Sequence, residues 1–240
     1  MELKNNTILI TGGTSGIGLE MAQQLSKLGN TVIVTGRNKT KIDQLKENEP
    51  QLYAYTVEVT DLASIQALYE RLEEEFPQLN VLINNAGLMS NIYFKTAKPE
   101  GIADEVTTNL SGPILMTQVF LPLLLRQKNA CIVNVTSGIA YYAFEKAPIY
   151  SASKLGLHSY TQSLRKQLKK TSVKVFELAP PRTTKPMFKG SEADNATVDH
   201  VPKMPIATVV EKLIDAMKKD QYEIKPGMSK LLKILGKIQL

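Results

Sequence analysis

The chain has a single cysteine, Cys131, among 240 residues, and no tryptophan. One thiol excludes an internal disulfide framework and a cysteine-based zinc cluster, and it fits a reducing cytosol. Histidine is nearly as scarce. His158 and His200 stand far apart without paired-ligand spacing, so no metal site is expected. Aromatic residues make up 6% and are not interleaved with basic ones, so the net charge of +6 does not point to nucleic acid. Scattered lysines read instead as a solvated basic surface that also favours an anionic cofactor. The longest strongly apolar run, "VFLPLLL", falls short of the ~20 residues a membrane-spanning helix needs, so no stable membrane insertion is expected. The opening "MELKNNTILITGG" lacks the basic start and long apolar stretch of a secretory signal, which leaves a cytoplasmic protein as the expectation.

What is present is an ordinary globular composition, 43% hydrophobic and 22% charged, read as one domain over 1–240. Six apolar runs read as buried strands: "TILIT" (7–11), "TVIVT" (31–35), "YAYTVEV" (53–59), "VLINN" (81–85), "CIVNVTS" (131–137) and "VKVFELA" (173–179). Continuous rather than alternating apolarity suggests burial on both faces, as in a parallel sheet. Between them, Met21, Leu25 and Leu28 form one helical stripe that stops at Gly29, and Ile65, Leu68, Leu72 and Phe76 form another behind a possible Asp61 cap. The alternation predicts an α/β, Rossmann-type doubly wound domain with a mostly parallel sheet and helices on both faces. The pattern breaks over 180–205, rich in Pro, Gly and charge, which reads as a substrate-side lid or a disordered stretch. The C-terminal "SKLLKILGKIQL" has a basic amphipathic pattern suited to docking on its own domain, on another subunit or on a membrane surface.

"TGGTSGIG" (11–18) lies between the first strand and the first helix. Gly12, Gly16 and Gly18 can permit the turn, the close backbone approach and the close helix packing that a pyrophosphate at a helix N-terminus requires. The spacing G-x-x-x-G-x-G differs from the commonest dinucleotide fingerprint, so a plain structural turn is the competing reading. After the second strand, "TGRN" offers no carboxylate for the ribose hydroxyls, whereas Arg37 can pair with a 2′-phosphate. NADP(H) is therefore favoured, with NAD(H) possible; otherwise Arg37 is a surface cation opening the next helix.

"YSASK" places Tyr150 and Lys154 at i,i+4 on one helical face, where an ammonium would favour phenolate and bring the phenol towards the operating pH. Such a tyrosine exchanges a proton with a carbonyl or alcohol oxygen. Ser137, ending "NVTS", can hold the same oxygen, and Asn109 in "TTNLSG" can join a proton relay. Taken singly, Ser137 also reads as a turn residue and Asn109 as a polar group in a helix kink. Met89, Tyr141, Tyr142, Phe144, Met187 and Phe188 are candidates for contact with a partly apolar substrate, or ordinary core.

In order and approximate spacing, "TGGTSGIG", "NNAG" (84–87), Asn109, Ser137 and "YSASK" resemble the short-chain dehydrogenase/reductase family. "SVKVFE" and "ELAPP" are similar to segments of its DltE-like oxidoreductases from Gram-positive bacteria. The resemblance implies an NAD(P)-dependent oxidoreductase acting on a small carbonyl or alcohol, with Tyr150 as general acid/base, Ser137 orienting substrate and Asn109 supporting the relay. It implies a cofactor site formed by Gly12, Thr14, Ser15, Gly16, Ile17, Gly18, Arg37, Asp61 (against adenine), Asn85, Ala86, Gly87, Tyr150, Lys154 (on the nicotinamide ribose), Pro180 and Thr183. It also implies a homodimer or homotetramer through the helices carrying Asn109 and Tyr150. The family's Pro-Gly with a following Val and Thr is replaced here by Pro180-Pro181, Thr183 and Lys185. Because proline lacks an N–H and cannot take positive φ, the nicotinamide-side loop must differ. The alternative to an enzyme is a non-catalytic protein that senses a dinucleotide and signals to a partner.

Overall fold

The computed structural model describes residues 1–90, 92–95, 102–184 and 202–239. The apolar runs form β1 (Thr7–Thr11), β2 (Thr31–Gly36), β3 (Tyr53–Thr56), β4 (Val81–Asn84), β5 (Ala130–Val135) and β6 (Val173–Leu178). With β7 (Glu223–Ile224) they make a seven-stranded sheet in the order β3-β2-β1-β4-β5-β6-β7, every pair parallel. Pleating divides each inner strand between two cores. Ile8, Ile10, Val32, Val34, Val81, Ile83, Cys131 and Val133 face one apolar layer, and Leu9, Ile33, Leu82 and Ile132 face the other. The inner strands are thus apolar on both faces over most of their length because neither face meets solvent.

Eight helices follow in the chain among the described residues: α1 (Gly16–Lys27), α2 (Lys39–Asn48), α3 (Leu62–Glu75), α4 (Ile102–Val106), α5 (Gly112–Leu125), α6 (Pro148–Gln167), α7 (Ile206–Lys218) and α8 (Met228–Gln239). Met21 and Leu25 of α1 join the first layer together with Val209, Val210 and Leu213 of α7. Ile65, Leu68 and Leu72 of α3 join the second with Met116 and Phe120 of α5 and Leu164 of α6. Gly29 has φ 84° where α1 stops, and the Asp61 carboxylate accepts the Ala63 N–H at 3.0 Å, so both helix-end readings hold.

Three expectations are corrected. β3 and β5 end at Thr56 and Val135, short of the apolar runs, because the following residues turn into the loops at the sheet's carboxyl edge. β7 was not predicted: two residues give no periodicity, and it is held by the Glu177 N–H on Tyr222 C=O and the Ala179 N–H on Ile224 C=O, both 2.8 Å. The stretch Ile102–Leu125 is a 24-residue helical run long and apolar enough to cross a membrane by length and composition, unlike the run read from sequence. Half of its apolar window is buried, and Met116, Phe120, Leu123 and Leu124 explain its composition as core packing.

The two ends of the 180–205 segment meet: Thr183 bridges Met204, with Met204 N–H on Arg182 C=O at 2.9 Å. Lys185, Met187 and Phe188 lie outside the described residues. The first turn of α8 docks onto its own domain, against a 3₁₀ turn at Gly138–Tyr141, where a Cβ on Gly138 would lie 2.6 Å from Ser229 Oγ. Leu231, Ile234 and Leu235 remain exposed on α8.

Cys131 is fully buried in β5, and burial pushes its thiol up to about 12. A thiolate is the reactive form, so native protein is expected to be inert to a disulfide reagent at neutral pH and to titrate as one thiol only after denaturation. Rapid labelling of the folded chain would contradict the packing of β5.

Candidate active site

The sheet order reverses between β1 and β4, and both strands leave the sheet at its carboxyl edge there, the position where open α/β sheets form a ligand crevice. Gly12 and Gly16 have φ 65° and 58°, a region costly for other residues. A Cβ on Gly18 would stand 2.4 Å from Gly12 C=O, and one on Gly12 would stand 2.9 Å from Ala86 Cα. Glycine is therefore required for α1 to begin this close to the turn, and for the turn to approach β4. Ser15 occupies the N-cap position of α1 but makes no side-chain cap bond, so the first-turn N–H groups beside Thr14, Ile17 and Gly18 are left to another acceptor. Thr11 and Asn85 hold the two strand exits together. Thr11 Oγ1 accepts the N–H groups of Asn85 and Ala86, both at 3.0 Å, and the Asn85 amide donates to Thr11 C=O at 3.0 Å and Gly12 C=O at 3.1 Å. The Asn85 side chain thus supports the turn from behind, leaving Ala86 and Gly87 to line the crevice. A side-chain-free cradle at an uncapped helix N-terminus fits a pyrophosphate.

A Cβ on Gly36 would lie 2.8 Å from Thr14 Cγ2, so the end of β2 abuts the glycine turn and Arg37, exposed, borders it. α2 is opened by Asn38, whose side chain accepts the Lys41 N–H at 3.0 Å; Arg37 has no capping role. Asp61 stands at the start of α3 with one oxygen engaged as its cap. Glu58, half-buried, lies nearer the end of β3, and sequence reading passed over it.

The candidate acid/base residues are carried by β5 and the turn after it, α6, and a π-helical turn (Thr107–Ser111) between α4 and α5. Pro148 opens α6 and puts Tyr150 in its first turn. Ser137 bears on the Tyr150 phenol, pulling its pKa down, and Ser137 Oγ accepts the Ile139 N–H at 3.3 Å. Lys154 is 2% exposed; its ammonium donates to Val135 C=O at 2.8 Å and lies 5.8 Å from the Tyr150 ring centroid. Asn109 is fully buried. Its side chain accepts the Leu88 N–H at 2.8 Å and donates to Leu88 C=O at 2.8 Å and Ser153 Oγ at 3.2 Å, while Ser153 Oγ donates to Tyr150 C=O at 2.9 Å. The four residues read from sequence as catalytic are thus brought together. The π turn lets one side chain clamp the β4 exit loop to α6.

The electrostatics differ from the expectation that Lys154 draws the phenol towards neutral pH. Burial pushes Tyr150 up to about 12, Ser137 pulls the other way, and the Glu105 carboxylate adds to the rise. Burial also pushes Lys154 down to about 8, opposed by Glu105. Desolvation outweighs pair attraction here because both groups are almost wholly removed from water. Sequence reading missed Glu105, since an acid in a helix reads as solvated.

Of the candidate substrate contacts, Met89 and Phe144 pack with Ala147 and Tyr150 in one apolar cluster. Tyr141 turns inward: its hydroxyl donates to Glu177 at 3.0 Å, where Thr136 Oγ1 at 2.7 Å and His158 Nδ1 at 2.8 Å also converge. It braces the turn after Ser137 instead of offering a substrate surface. Tyr142 is half-buried at the end of that turn. Pro180 C=O accepts the Gly138 N–H at 2.9 Å, so the Pro-Pro segment fixes the same turn, while Thr183 sits on the bridge to Met204.

The family model for short chain dehydrogenases matches residues 6–196. The uncharacterized oxidoreductase DltE of Bacillus subtilis is 44% identical over 183 residues, 75% of this chain and 73% of that one. Among solved structures, a short chain dehydrogenase/reductase from Burkholderia phymatum in complex with NAD superposes with a TM-score of 0.84 at 21% identity, covering 97% of this chain and 93% of that one. A short chain dehydrogenase from Burkholderia cenocepacia in complex with NADP gives 0.82 at 22% identity, covering 97% and 92%. With the crevice, the glycine cradle and the Asn109–Ser137–Tyr150–Lys154 group in place, these similarities lead to one conclusion: the chain belongs to the short-chain dehydrogenase/reductase family of oxidoreductases, on its DltE-like branch.

Proposed function

We propose that this chain is an NADP(H)-preferring oxidoreductase that interconverts a carbonyl and an alcohol, with Tyr150 as its general acid/base. The observation that carries the reading is the convergence of buried Ser137, Tyr150 and Lys154 at the same sheet edge as the glycine cradle. In this reading Gly12, Thr14, Gly16 and the first turn of α1 hold the pyrophosphate, Arg37 pairs with the 2′-phosphate, and Ala86, Gly87, Lys154, Pro180 and Thr183 flank the rest. The nicotinamide supplies or takes up the hydride. The chain's own residues handle the oxygen and its proton. Ser137 and Tyr150 hold the substrate oxygen between two hydroxyls, and Tyr150 donates its proton as the carbonyl becomes an alcohol. A phenol held near 12 is protonated at neutral pH, which suits the reductive direction. Met89 and Phe144 give the oxygen an apolar, water-poor setting. Incubating the protein with NADPH and a panel of ketones and aldehydes, and following nicotinamide absorbance, tests the reading: carbonyl-dependent oxidation is the expected result, and none across aliphatic, aromatic and acyl carbonyls would contradict it.

Arg37→Ala is expected to weaken NADPH binding about 10–100-fold, the worth of a charge-assisted contact, and to leave NADH binding unchanged. Paired titrations of both dinucleotides check it. Equal losses would remove Arg37 from the 2′-phosphate.

A further inference from the structure

Glu105 lies on α4, one turn before Asn109, and is 2% exposed. Among the described residues, its Oε1 accepts one long bond, the Ser90 N–H at 3.3 Å, and its Oε2 is buried without a hydrogen-bond partner. A carboxylate in that setting is costly unless something stabilises its charge. Across from it α6 carries Lys154, also buried, whose ammonium has a neutral partner, Val135 C=O. Among the described residues, α4 packs on α6, Lys154 is the charged group that bears on Glu105, and Glu105 is the charged group that bears on Lys154. Tyr150, on the same helix, feels the same carboxylate.

We propose that Glu105 is a positioning residue for the acid/base group: its carboxylate is the buried counter-charge that keeps the Lys154 ammonium charged beside Tyr150. This rests on the reading of Tyr150 and Lys154 given above. Without Glu105, Lys154 would be an isolated cation in an apolar interior and would shed its proton at lower pH. Burial holds Glu105 itself up to about 6, so the pair has opposite charges only between the two titrations, from about 6 to about 8.

The test is NMR of the full chain, without dinucleotide, carrying ¹³Cε-labelled lysine, with the Lys154 resonance identified by its loss in Lys154→Arg. In Glu105→Gln, which keeps the shape and the Ser90 bond, the Lys154 midpoint is expected to fall by about one pH unit or more, and in Glu105→Asp to fall less. An unchanged midpoint in a folded Glu105→Gln overturns the proposal. Should Glu105→Gln not fold, the natural chain decides: a second inflection of the Lys154 resonance near pH 6 supports the pairing, and a single inflection overturns it. Failure of the oxidoreductase reading would show separately, as absent NADPH binding or turnover with the Lys154 response intact.

Discussion

Tyr150→Phe is expected to lower turnover by about 10²–10⁴-fold while dinucleotide affinity and thermal midpoint stay close to the natural protein's. The phenyl ring keeps its place among Met89, Ala147 and Phe144, so packing is unchanged; what goes is the hydroxyl and its proton. Loss of turnover with affinity retained separates an enzyme from a binding-only sensor, in which Tyr150 would have no chemical task. The pH dependence follows from the same groups. In the proposed reaction, reduction would consume a proton delivered by Tyr150, and Lys154 would be the neighbouring cation that favours the phenolate left behind. Lys154, held near 8, loses its charge as pH rises through that value, so the reductive rate is expected to decline above about pH 8 while the phenol is still protonated. A rate that rises steadily through pH 9 would contradict this assignment.

Asn109→Ala is expected to destabilise the fold by about 2–4 kcal/mol, a large share of the about 5–15 kcal/mol typical of a domain. The alanine leaves the Leu88 N–H and C=O without the side chain that satisfies both, and removes the donor to Ser153. The damage also reaches the site. Asn109, Ser153 and Tyr150 C=O form a chain that ties the loop after β4 to the first turn of α6, so its loss frees Tyr150 relative to the crevice. Urea unfolding checks the first claim by a lowered midpoint at unchanged slope. A midpoint within the scatter of surface substitutions would show that the Leu88 clamp contributes nothing.

Much of this was legible in the residues, for identifiable reasons. Strands such as "TILIT" lie between two apolar layers, so their continuous apolarity marks them without ambiguity. The glycine turn is readable because backbone demands at Gly12, Gly16 and Gly18 exclude other side chains. What escaped is tertiary. β7 is too short to carry a period and exists because β6 presents an open edge. Tyr141 has the composition of a substrate contact, yet Glu177 and His158, far along the chain, turn it inward. Asn85 reads in sequence as part of a cofactor motif, and only the fold shows its amide supporting the Gly12 turn. The rise of the Tyr150 phenol, opposite to the pull expected from its spacing to Lys154, escapes the sequence because spacing shows a neighbouring lysine but not the removal of both groups from water.

The most direct test of the central claim is a titration of the purified protein with NADPH and, separately, NADH, followed by nicotinamide fluorescence. The account predicts saturable binding of both, tighter for NADPH, with the preference abolished in Arg37→Ala. Equal affinities in the natural protein would contradict the assignment of Arg37, and no binding of either would contradict the reading of the glycine turn as a phosphate cradle.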